Sequence, residues 1–274
     1  MNILSDDQRD FYNNQGYLIM PGIFDMSEIN DVRKVVFDTF EKFVEIGPDL
    51  LNLTQPWNQL DFDLALLRLR KSDAKLFGAM YDTAQNNTRL ARMVTKNSLI
   101  MTAADLLNTT SEMIATSGHY LRMDAPQDKR NVLKWHQDRA YYHQNKDGNN
   151  GLVASVALQD ISEENGGLII CPGSHKRGFL GVSDSGTKDA YEESEQLTVS
   201  GTEVSRYEEK NLELKLGEVL FINMNLLHKS GHNSTNRFRF SALARIHKIG
   251  ADDYVPFENI FAYNPYCRDK IYGN

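Results

Sequence analysis

Cysteine is scarce in this sequence, which has only Cys171 and Cys267 among its 274 residues. Two thiols are too few for a disulfide framework, and their separation is not that of zinc ligands. Long apolar runs are also missing, because no uninterrupted stretch reaches the ~20 residues of a membrane-spanning helix. Residues 1–11 lack the pattern of a secretion signal. These absences predict a protein of the reducing cytoplasm that has no membrane partner.

A basic excess is missing as well. The sequence has 30 lysines and arginines against 37 aspartates and glutamates, and its formal net charge is -7. Without a basic stripe to neutralise phosphates, we expect no nucleic-acid partner. Hydrophobic residues make up 41% of the chain and charged residues 24%, so a sizeable core can be buried. Since there is no internal repeat or low-complexity linker, we expect a single domain over residues 1–274.

The first 110 residues are predicted to be mainly helical. Ser5 and Gln8 have the spacing of a capping box, and Gly16 can end the short helix that follows. A strand is predicted over 17–24, and apolar residues at helical spacing predict a helix over 27–43 and further helices over 61–107.

After residue 110 the pattern changes to short strands between Gly, Asn and Pro turns. The predicted strands are 112–123, 132–138, 152–161, 167–171, 212–216, 219–227 and 237–249. Many short strands with such turns favour a two-sheet jelly roll. The predicted class is therefore α+β: a helical part over 1–110, a β core over 111–250 with an insertion at 179–210, and an extension over 251–274.

A histidine and an aspartate stand two residues apart in the stretch Trp135-His136-Gln137-Asp138. In a β-strand such residues project from one face, ~6–7 Å apart. With a second histidine from elsewhere they would form the set of two histidines and one carboxylate that suits non-haem iron(II) and leaves open positions. The alternative for the triplet alone is a strand-end pair that hydrogen-bonds to itself.

His228 is the candidate for the second histidine. It closes a predicted strand, and a turn-forming stretch, 231–236, separates it from the next strand. A hairpin centred there would place His228 opposite Arg239 and Ser230 opposite Arg237, ~5 Å apart on one face. A small dicarboxylate could then bind the metal at one end and an arginine at the other, in fork geometry.

The chain resembles the phytanoyl-CoA dioxygenase family at four motifs, in the family's order and spacing. These are Trp135-His136-Gln137-Asp138, Asn165-Gly166-Gly167-Leu168, Pro172-Gly173-Ser174-His175, and His228-Lys229-Ser230 with Arg239 eleven residues on. The family consists of iron(II)- and 2-oxoglutarate-dependent oxygenases on a double-stranded β-helix with a cupin-like jelly-roll core. The resemblance covers residues 117–247.

The resemblance implies that His136, Asp138 and His228 bind iron. Because Asp138 is retained, it does not imply the halogenating variant, in which a small residue vacates that position. The implied reaction hydroxylates a C–H bond of a small molecule, converts 2-oxoglutarate and O2 to succinate and CO2, and is stimulated by ascorbate.

For the cosubstrate, the resemblance implies that Arg239 and Ser230 hold the distal carboxylate of 2-oxoglutarate and that Gln137 lies beside it. Ser155 is a departure, because several relatives have tryptophan at that position. The departure puts the packing on that side of the cosubstrate in question.

Two pairs near the motifs are candidates for substrate binding. Tyr120 and Arg122 stand two apart before the site, and Arg139 and Tyr141 stand two apart after it. Either arginine could bind an anionic group of the substrate, and the alternative is a surface ion pair.

The remaining histidines favour structural roles. His232 lies four residues after His228 but in a predicted turn, and His175 belongs to a Pro-Gly-Ser-His turn. We expect His119, His143 and His247 to be core or partly exposed residues.

The insertion 179–210 has eight acidic and three basic residues, and a loop of this length inside a domain is usually functional or disordered. We interpret it as a mobile lid, against the alternative of an inert surface loop. An acidic lid disfavours a highly anionic substrate such as a coenzyme A thioester.

Two other classes of function stay open at this point. One is a metal-dependent cupin-like enzyme that does not use 2-oxoglutarate, which Arg239 opposite His228 disfavours. The other is a non-catalytic jelly-roll module that binds a ligand, for which a complete metal triad would be superfluous.

Overall fold

In the computed structural model, residues 3–127, 132–142, 144–184 and 197–256 are described. The helices of the described residues lie mostly before residue 107. They are α1 (Asp6–Gln15), α2 (Met26–Phe40), α3 (Pro48–Leu51), α4 (Leu60–Ser72), α5 (Ala74–Gln85), α6 (Thr88–Val94), α7 (Asn97–Leu106) and α8 (Gly201–Val204). None of these helices is both long and apolar enough to cross a membrane.

The first helix begins and ends as the sequence predicts. The Ser5 side chain accepts from the Gln8 backbone N–H while the Gln8 side chain accepts from the Ser5 N–H, which is a capping box. Gly16 ends the helix with φ 81°, in the left-handed region that glycine tolerates. The chain enters the first strand directly after this turn.

The strands form two main antiparallel sheets that face each other. The strands are β1 (Tyr17–Met20), β2 (Ile114–Asp124), β3 (Gly151–Ala157), β4 (Leu168–Ile170), β5 (Ser183–Asp184), β6 (Leu197–Thr198), β7 (Lys210–Asn211), β8 (Val219–Asn223), β9 (His228–Ser230) and β10 (Arg239–Lys248). The larger sheet has the order β1-β8-β3-β10-β2, the smaller one has the order β7-β4-β9, and β5 pairs with β6. Helices with antiparallel sheets confirm the α+β class.

The two faces of the larger sheet have different neighbours. On β10, the even-numbered residues from Phe240 to Ile246 belong to the main core cluster with the helices. On the opposite face, Ala157 and Leu220 of the larger sheet pack with Ile170 of the smaller sheet. Ser241 pairs with Ala157 in the ladder, so the odd-numbered residues of β10 face the smaller sheet. The space between the sheets holds the candidate site.

The predicted hairpin between residues 228 and 239 is wrong. β9 pairs with β4, with Ile170 opposite His228 and Leu168 opposite Ser230. β10 is hydrogen-bonded on one side to β2 and on the other to β3. A strand has two edges, so β10 has none left for β9 and the chain crosses between sheets instead.

The predicted strand over 132–138 is also wrong for most of its length. Only His136 is paired, through an isolated antiparallel bridge to His228 with N–O distances of 3.0 and 3.1 Å. Asp138 begins a 3-10 helix, Asp138–Ala140. The predicted strands 152–161, 212–216 and 219–227 are likewise shorter, with Ile161 and Leu214 forming only a bridge to each other. The division into a single domain with a C-terminal extension stays a prediction, and residues 257–274 lie outside the described part.

Candidate metal centre and cosubstrate site

Three buried side chains meet between the sheets: His136, Asp138 and His228. One potential ligand atom from each lies within 4.8 Å of the others, and the three form the one such group among the described residues. The His136 and His228 ring centroids are 4.2 Å apart, and Nε2 of His228 is 3.6 Å from Oδ2 of Asp138. The bridge between residues 136 and 228 brings the two imidazoles together, and the 3-10 helix turns Asp138 toward them.

Each imidazole is oriented by the backbone carbonyl of the residue two positions before it. Nδ1 of His136 lies 2.7 Å from the carbonyl oxygen of Lys134, and Nδ1 of His228 lies 2.9 Å from that of Leu226. A carbonyl oxygen can only accept, so both Nδ1 atoms carry the hydrogen and both Nε2 atoms keep a lone pair for a metal. This tautomer is the one that a metal-binding histidine needs.

The charge states also fit a divalent cation. Burial, with the neighbouring His228, lowers the pKa of His136 to about 3, so this imidazole is neutral. Burial alone would raise the pKa of Asp138, but the positive field of His228 and Arg245, with smaller contributions from His136 and Arg122, holds it below its ordinary value. Two imidazoles, each with its Nε2 directed to the triad, and one carboxylate form the donor set of non-haem iron(II).

Beside the triad lies a small cavity that is lined by two polar atoms without hydrogen-bond partners in the described part of the chain. Nε of Arg239 and Oγ of Ser230 are both buried and without a hydrogen-bond partner. These residues line the cavity together with Asp124, Asn165 and Gly166. Buried donors without acceptors are costly, so this geometry fits a carboxylate that accepts from a guanidinium and a hydroxyl, as the distal end of 2-oxoglutarate would.

Asp124 is a site residue that sequence reasoning missed. Its carboxylate pairs with Arg239 through one oxygen and with Arg122, at 2.9 Å, through the other. Asp124 stands directly opposite Arg239 in the β2–β10 ladder. The sequence signal was only an arginine and an aspartate two apart on a strand, and the ladder register that gives them meaning is not visible in the sequence.

Arg237, the rival to Arg239, is directed away from the cavity. Its Nε bonds Asp63 at 2.6 Å, and its Nη2 bonds the carbonyl of Asn58 at 2.7 Å, both in the helical layer. The residue therefore ties β10 to the helices.

Gln137 is fully engaged with backbone in this structure. Its amide nitrogen donates to the carbonyls of Gly178 and Asn225, and its oxygen accepts from the Leu180 N–H at 2.8 Å. The side chain thus anchors two loops beside the triad, and its contact with the cosubstrate stays a prediction.

The Asn165-Gly166-Gly167-Leu168 motif supports Ser230. Gly166 has φ 87°, and a Cβ there would lie 3.1 Å from both the Asn233 nitrogen and the Gly231 oxygen. A residue without a side chain lets this turn lie against the chain that follows β9. The motif therefore helps to fix the wall of the cavity.

The four candidate substrate residues belong to two segments of the chain, β2 and the 3-10 helix that begins at Asp138, with Tyr141 as its C-cap. Tyr120 packs with Leu243 on the inner face of the larger sheet, and Arg122 bonds Asp124. Arg139 donates to the Lys146 and Tyr142 carbonyls and lies 5.4 Å from the Phe179 ring centroid. Tyr141 lies 5.9 Å from the His136 ring, and its hydroxyl accepts from the Leu197 N–H. Their roles toward a substrate stay predictions.

The other histidines are not part of the triad. His175 donates from Nε2 to the Asn13 carbonyl, and His232 is exposed. His247 is buried between the side chains of Asn145 and Ser117. His143 and the side chain of His119 lie outside the described part.

Ser155, the departure from the family pattern, lies on the inner face of the larger sheet. It pairs with Leu220 on one side and with Leu243 on the other. The serine side chain occupies less volume between these two leucines than a tryptophan would.

The described ends of the insertion pack beside the triad. Val199 and Val204 are buried in an apolar cluster with Cys171 and Leu227, and the Val199 N–H donates to the Trp135 carbonyl at 2.8 Å. Leu180 of the first end packs against the same cluster, whereas Phe179 and Val182 are exposed. Residues 185–196 lie outside the described part, so the lid stays a prediction.

Comparison with known proteins relates this chain to one family of oxygenases. A model of the family described as phytanoyl-CoA dioxygenase (PhyH) matches residues 12–241. A probable phytanoyl-CoA dioxygenase of Caenorhabditis elegans is 24% identical over 246 residues, which is 87% of this chain and 73% of that protein. An ectoine dioxygenase of Streptomyces coelicolor is 36% identical over 112 residues, which is 37% of each chain.

A solved structure agrees with the fold. The crystal structure of EctD from S. alaskensis with 2-oxoglutarate and 5-hydroxyectoine has a TM-score of 0.61 at 19% identity, and the match covers 92% of this chain and 82% of that one. A likeness at this identity shows a shared fold. The family match spans most of the chain and includes the triad, Ser230 and Arg239. This chain therefore belongs to the phytanoyl-CoA dioxygenase family of iron(II)- and 2-oxoglutarate-dependent oxygenases.

Proposed function

We propose that this protein hydroxylates a C–H bond of a small organic molecule, using iron(II), 2-oxoglutarate and O2, within a double-stranded β-helix. The β-helix is supported by two facing antiparallel sheets that share an apolar layer. One observation carries the proposal: a buried triad with two available Nε2 atoms adjoins a cavity where, among the described residues, Oγ of Ser230 and Nε of Arg239 have no hydrogen-bond partner.

Each residue of the site has a defined task. His136 and His228 would ligate iron through Nε2, and Asp138 through a carboxylate oxygen. Arg239 and Ser230 would hold the distal carboxylate of 2-oxoglutarate, and Asp124 fixes the guanidinium from the other side. When bound, iron(II) and 2-oxoglutarate supply the chemistry in which O2 oxidises the C–H bond to an alcohol, with one succinate and one CO2 formed per product.

Burial of the triad has a direct consequence for the reaction. Both sheets cover the ligands, and the carbonyls of Lys134 and Leu226 hold the imidazole planes. Ligands fixed in this way need no rearrangement when a metal binds, and exclusion of water protects a reactive centre.

Iron-dependent release of succinate from 2-oxoglutarate tests the proposal. The variant Asp138→Ala removes the carboxylate ligand and should abolish iron binding and succinate release without unfolding the protein. Asp38→Ala is the matched control, because Asp38 pairs with Lys34 on the exposed surface of α2. Full succinate release by Asp138→Ala would contradict the assignment of the triad.

The substrate is sought with the same assay. Wild-type protein is incubated with pooled metabolites, iron(II), ascorbate and 2-oxoglutarate, and pools that raise succinate release are fractionated. A product that gains one oxygen atom identifies hydroxylation, and a product of unchanged or lower mass identifies another oxidation and contradicts the proposed outcome.

A further inference from the structure

Arg245 lies on the inner face of the larger sheet, where none of the described carboxylates forms an ion pair with it. Its Nε and Nη1 are shielded from solvent and have no hydrogen-bond partner. Arg122 and Arg239 on the same face share the carboxylate of Asp124, whereas Arg245 forms no ion pair within the described part of the chain.

Two aromatic rings hold the Arg245 guanidinium in place. Its central carbon lies 4.2 Å from the Tyr120 ring centroid and 4.8 Å from that of Tyr142. A cation–π contact stabilises the charge but uses none of the N–H donors. The guanidinium is therefore positioned while its donors stay available.

The position of Arg245 along β10 relates it to the triad. It stands six residues after Arg239 on the same strand face, ~20 Å away at ~3.3 Å per residue. Both Arg245 and Arg122 contribute to the positive field at Asp138. Asp138 of the triad is thus close enough to the Arg245 guanidinium to be affected by its charge.

The surroundings of Arg245 are apolar. Val153, its ladder partner, packs with Met224 and Leu243, and the two tyrosines pack against this cluster. A ligand that reaches Arg245 would therefore meet apolar side chains next to a single cation. Arg245 also lies beyond residues 12–241, which the family model matches.

We propose that Arg245 is the substrate-recognition residue of this protein and binds the carboxylate of a small carboxylic acid whose apolar body lies toward the triad. One of the unpaired N–H groups, on Nε or on Nη1, would donate to the carboxylate together with the adjacent Nη2–H in fork geometry, and Arg245 would gain a counterion that the described residues do not supply. This proposal rests on the proposed function for the identity of the ligand as a substrate.

Thermal stability distinguishes a substrate-binding role of Arg245 from a role in stabilising the fold. A buried charge without a partner does not add stability, and sites built for a ligand commonly cost stability. Arg245→Gln should therefore leave the midpoint of thermal unfolding unchanged or raise it in the absence of ligand. A structural arginine would lower that midpoint on substitution.

Binding is tested first, without iron. Protein labelled with ¹⁵N-arginine is titrated with proline, cyclohexanecarboxylate and benzoate, each beside its primary amide, in saturating 2-oxoglutarate. The Nε–H resonance of Arg245, assigned by its loss in Arg245→Lys, should shift with at least one acid and not with the matching amide. No shift with any acid, or equal shifts with acid and amide, would overturn the proposal.

Turnover is tested next, with iron(II) and the acid that binds. The acid should raise succinate release by wild-type protein, and its half-saturating concentration should rise about ten- to a hundredfold in Arg245→Gln, as for loss of a charge-assisted contact. Arg89→Gln is the matched control, because Arg89 pairs with Asp31 on the helical side. An unchanged response of Arg245→Gln to the acid would overturn the proposal.

Two further outcomes are decisive. Weaker Mn(II) binding by Arg245→Gln, with an unchanged response to the acid, would assign Arg245 to support of Asp138 instead. Absence of iron-dependent succinate release from wild type would contradict the proposed function, and the resonance titration would still decide the role of Arg245.

Discussion

Substitution of Arg239 tests the cosubstrate site most directly. In Arg239→Gln the guanidinium that faces the cavity is lost, together with its pairing to Asp124. Asp124 keeps Arg122, whose Nη2 lies 2.9 Å from the other carboxylate oxygen. Because the buried carboxylate still has a cation, we expect the variant to fold.

The expected effect follows from the contact that is lost. A hydrogen bond from a charged donor contributes about 1.5–3 kcal/mol. At ~1.4 kcal/mol per decade, the Michaelis constant for 2-oxoglutarate should rise about ten- to a hundredfold. Iron affinity should change little, because Arg239 is not a ligand and does not adjoin one in sequence.

Arg237→Gln provides the matched control, two residues before Arg239 and just outside β10. It breaks the buried contact with Asp63 and the bond to the Asn58 carbonyl. It should lower the free energy of unfolding while leaving the Michaelis constant for 2-oxoglutarate unchanged. The reasoning is refuted if Arg239→Gln keeps the wild-type constant, or if Arg237→Gln is the variant that raises it.

Two other predictions concern stability. Burial, with a smaller effect of Arg245, lowers the pKa of His247 to about 4, so the unfolded chain binds more protons than the folded one between that value and its ordinary ~6.5. The metal-free protein should therefore lose stability as pH falls through this window, by up to ~1.4 kcal/mol per pH unit from this residue. In urea unfolding, the free energy of unfolding of His247→Gln should depend less steeply on pH than that of the wild type. An identical slope of this free energy against pH would contradict the assignment. Gln137→Ala removes three hydrogen bonds to backbone and should lower the free energy of unfolding by about 2–4 kcal/mol. If the Michaelis constant for 2-oxoglutarate also rises, the predicted contact of Gln137 with the cosubstrate is supported. An unchanged free energy of unfolding would contradict the anchoring role.

The metal triad shows how far local spacing carries a prediction. His136, Asp138 and His228 meet as expected from their residue types and from the family resemblance. The predicted backbone conformation, a strand over 132–138, was wrong, because His136 forms an isolated bridge and Asp138 begins a 3-10 helix. A spacing of two residues allows convergence in either conformation, so the donor set was predictable and the backbone was not.

The strand pairing shows where sequence reasoning fails. The short turn after Ser230 favoured a local hairpin, but β9 pairs with β4, some sixty residues earlier in the chain. Which edges are free depends on the assembled sheet, since β10 is already paired on both sides. The same long-range register creates the contact of Asp124 with Arg239, which no local pattern contains.

Strand β10 carries both Arg239, proposed to bind the cosubstrate, and Arg245, proposed to bind the substrate. Successive residues of β10 face opposite sides, so Arg239 and Arg245 share the inner face because they are an even number of residues apart. The even-numbered residues from Phe240 to Ile246 are apolar and pack on the helices, with Phe240 and Ile246 almost fully buried there. A slip of one residue would exchange the two sets and bury both cations against the helical layer. The helical layer therefore fixes the register that directs both Arg239, the proposed cosubstrate cation, and Arg245, the proposed substrate cation, to the inner face of the sheet.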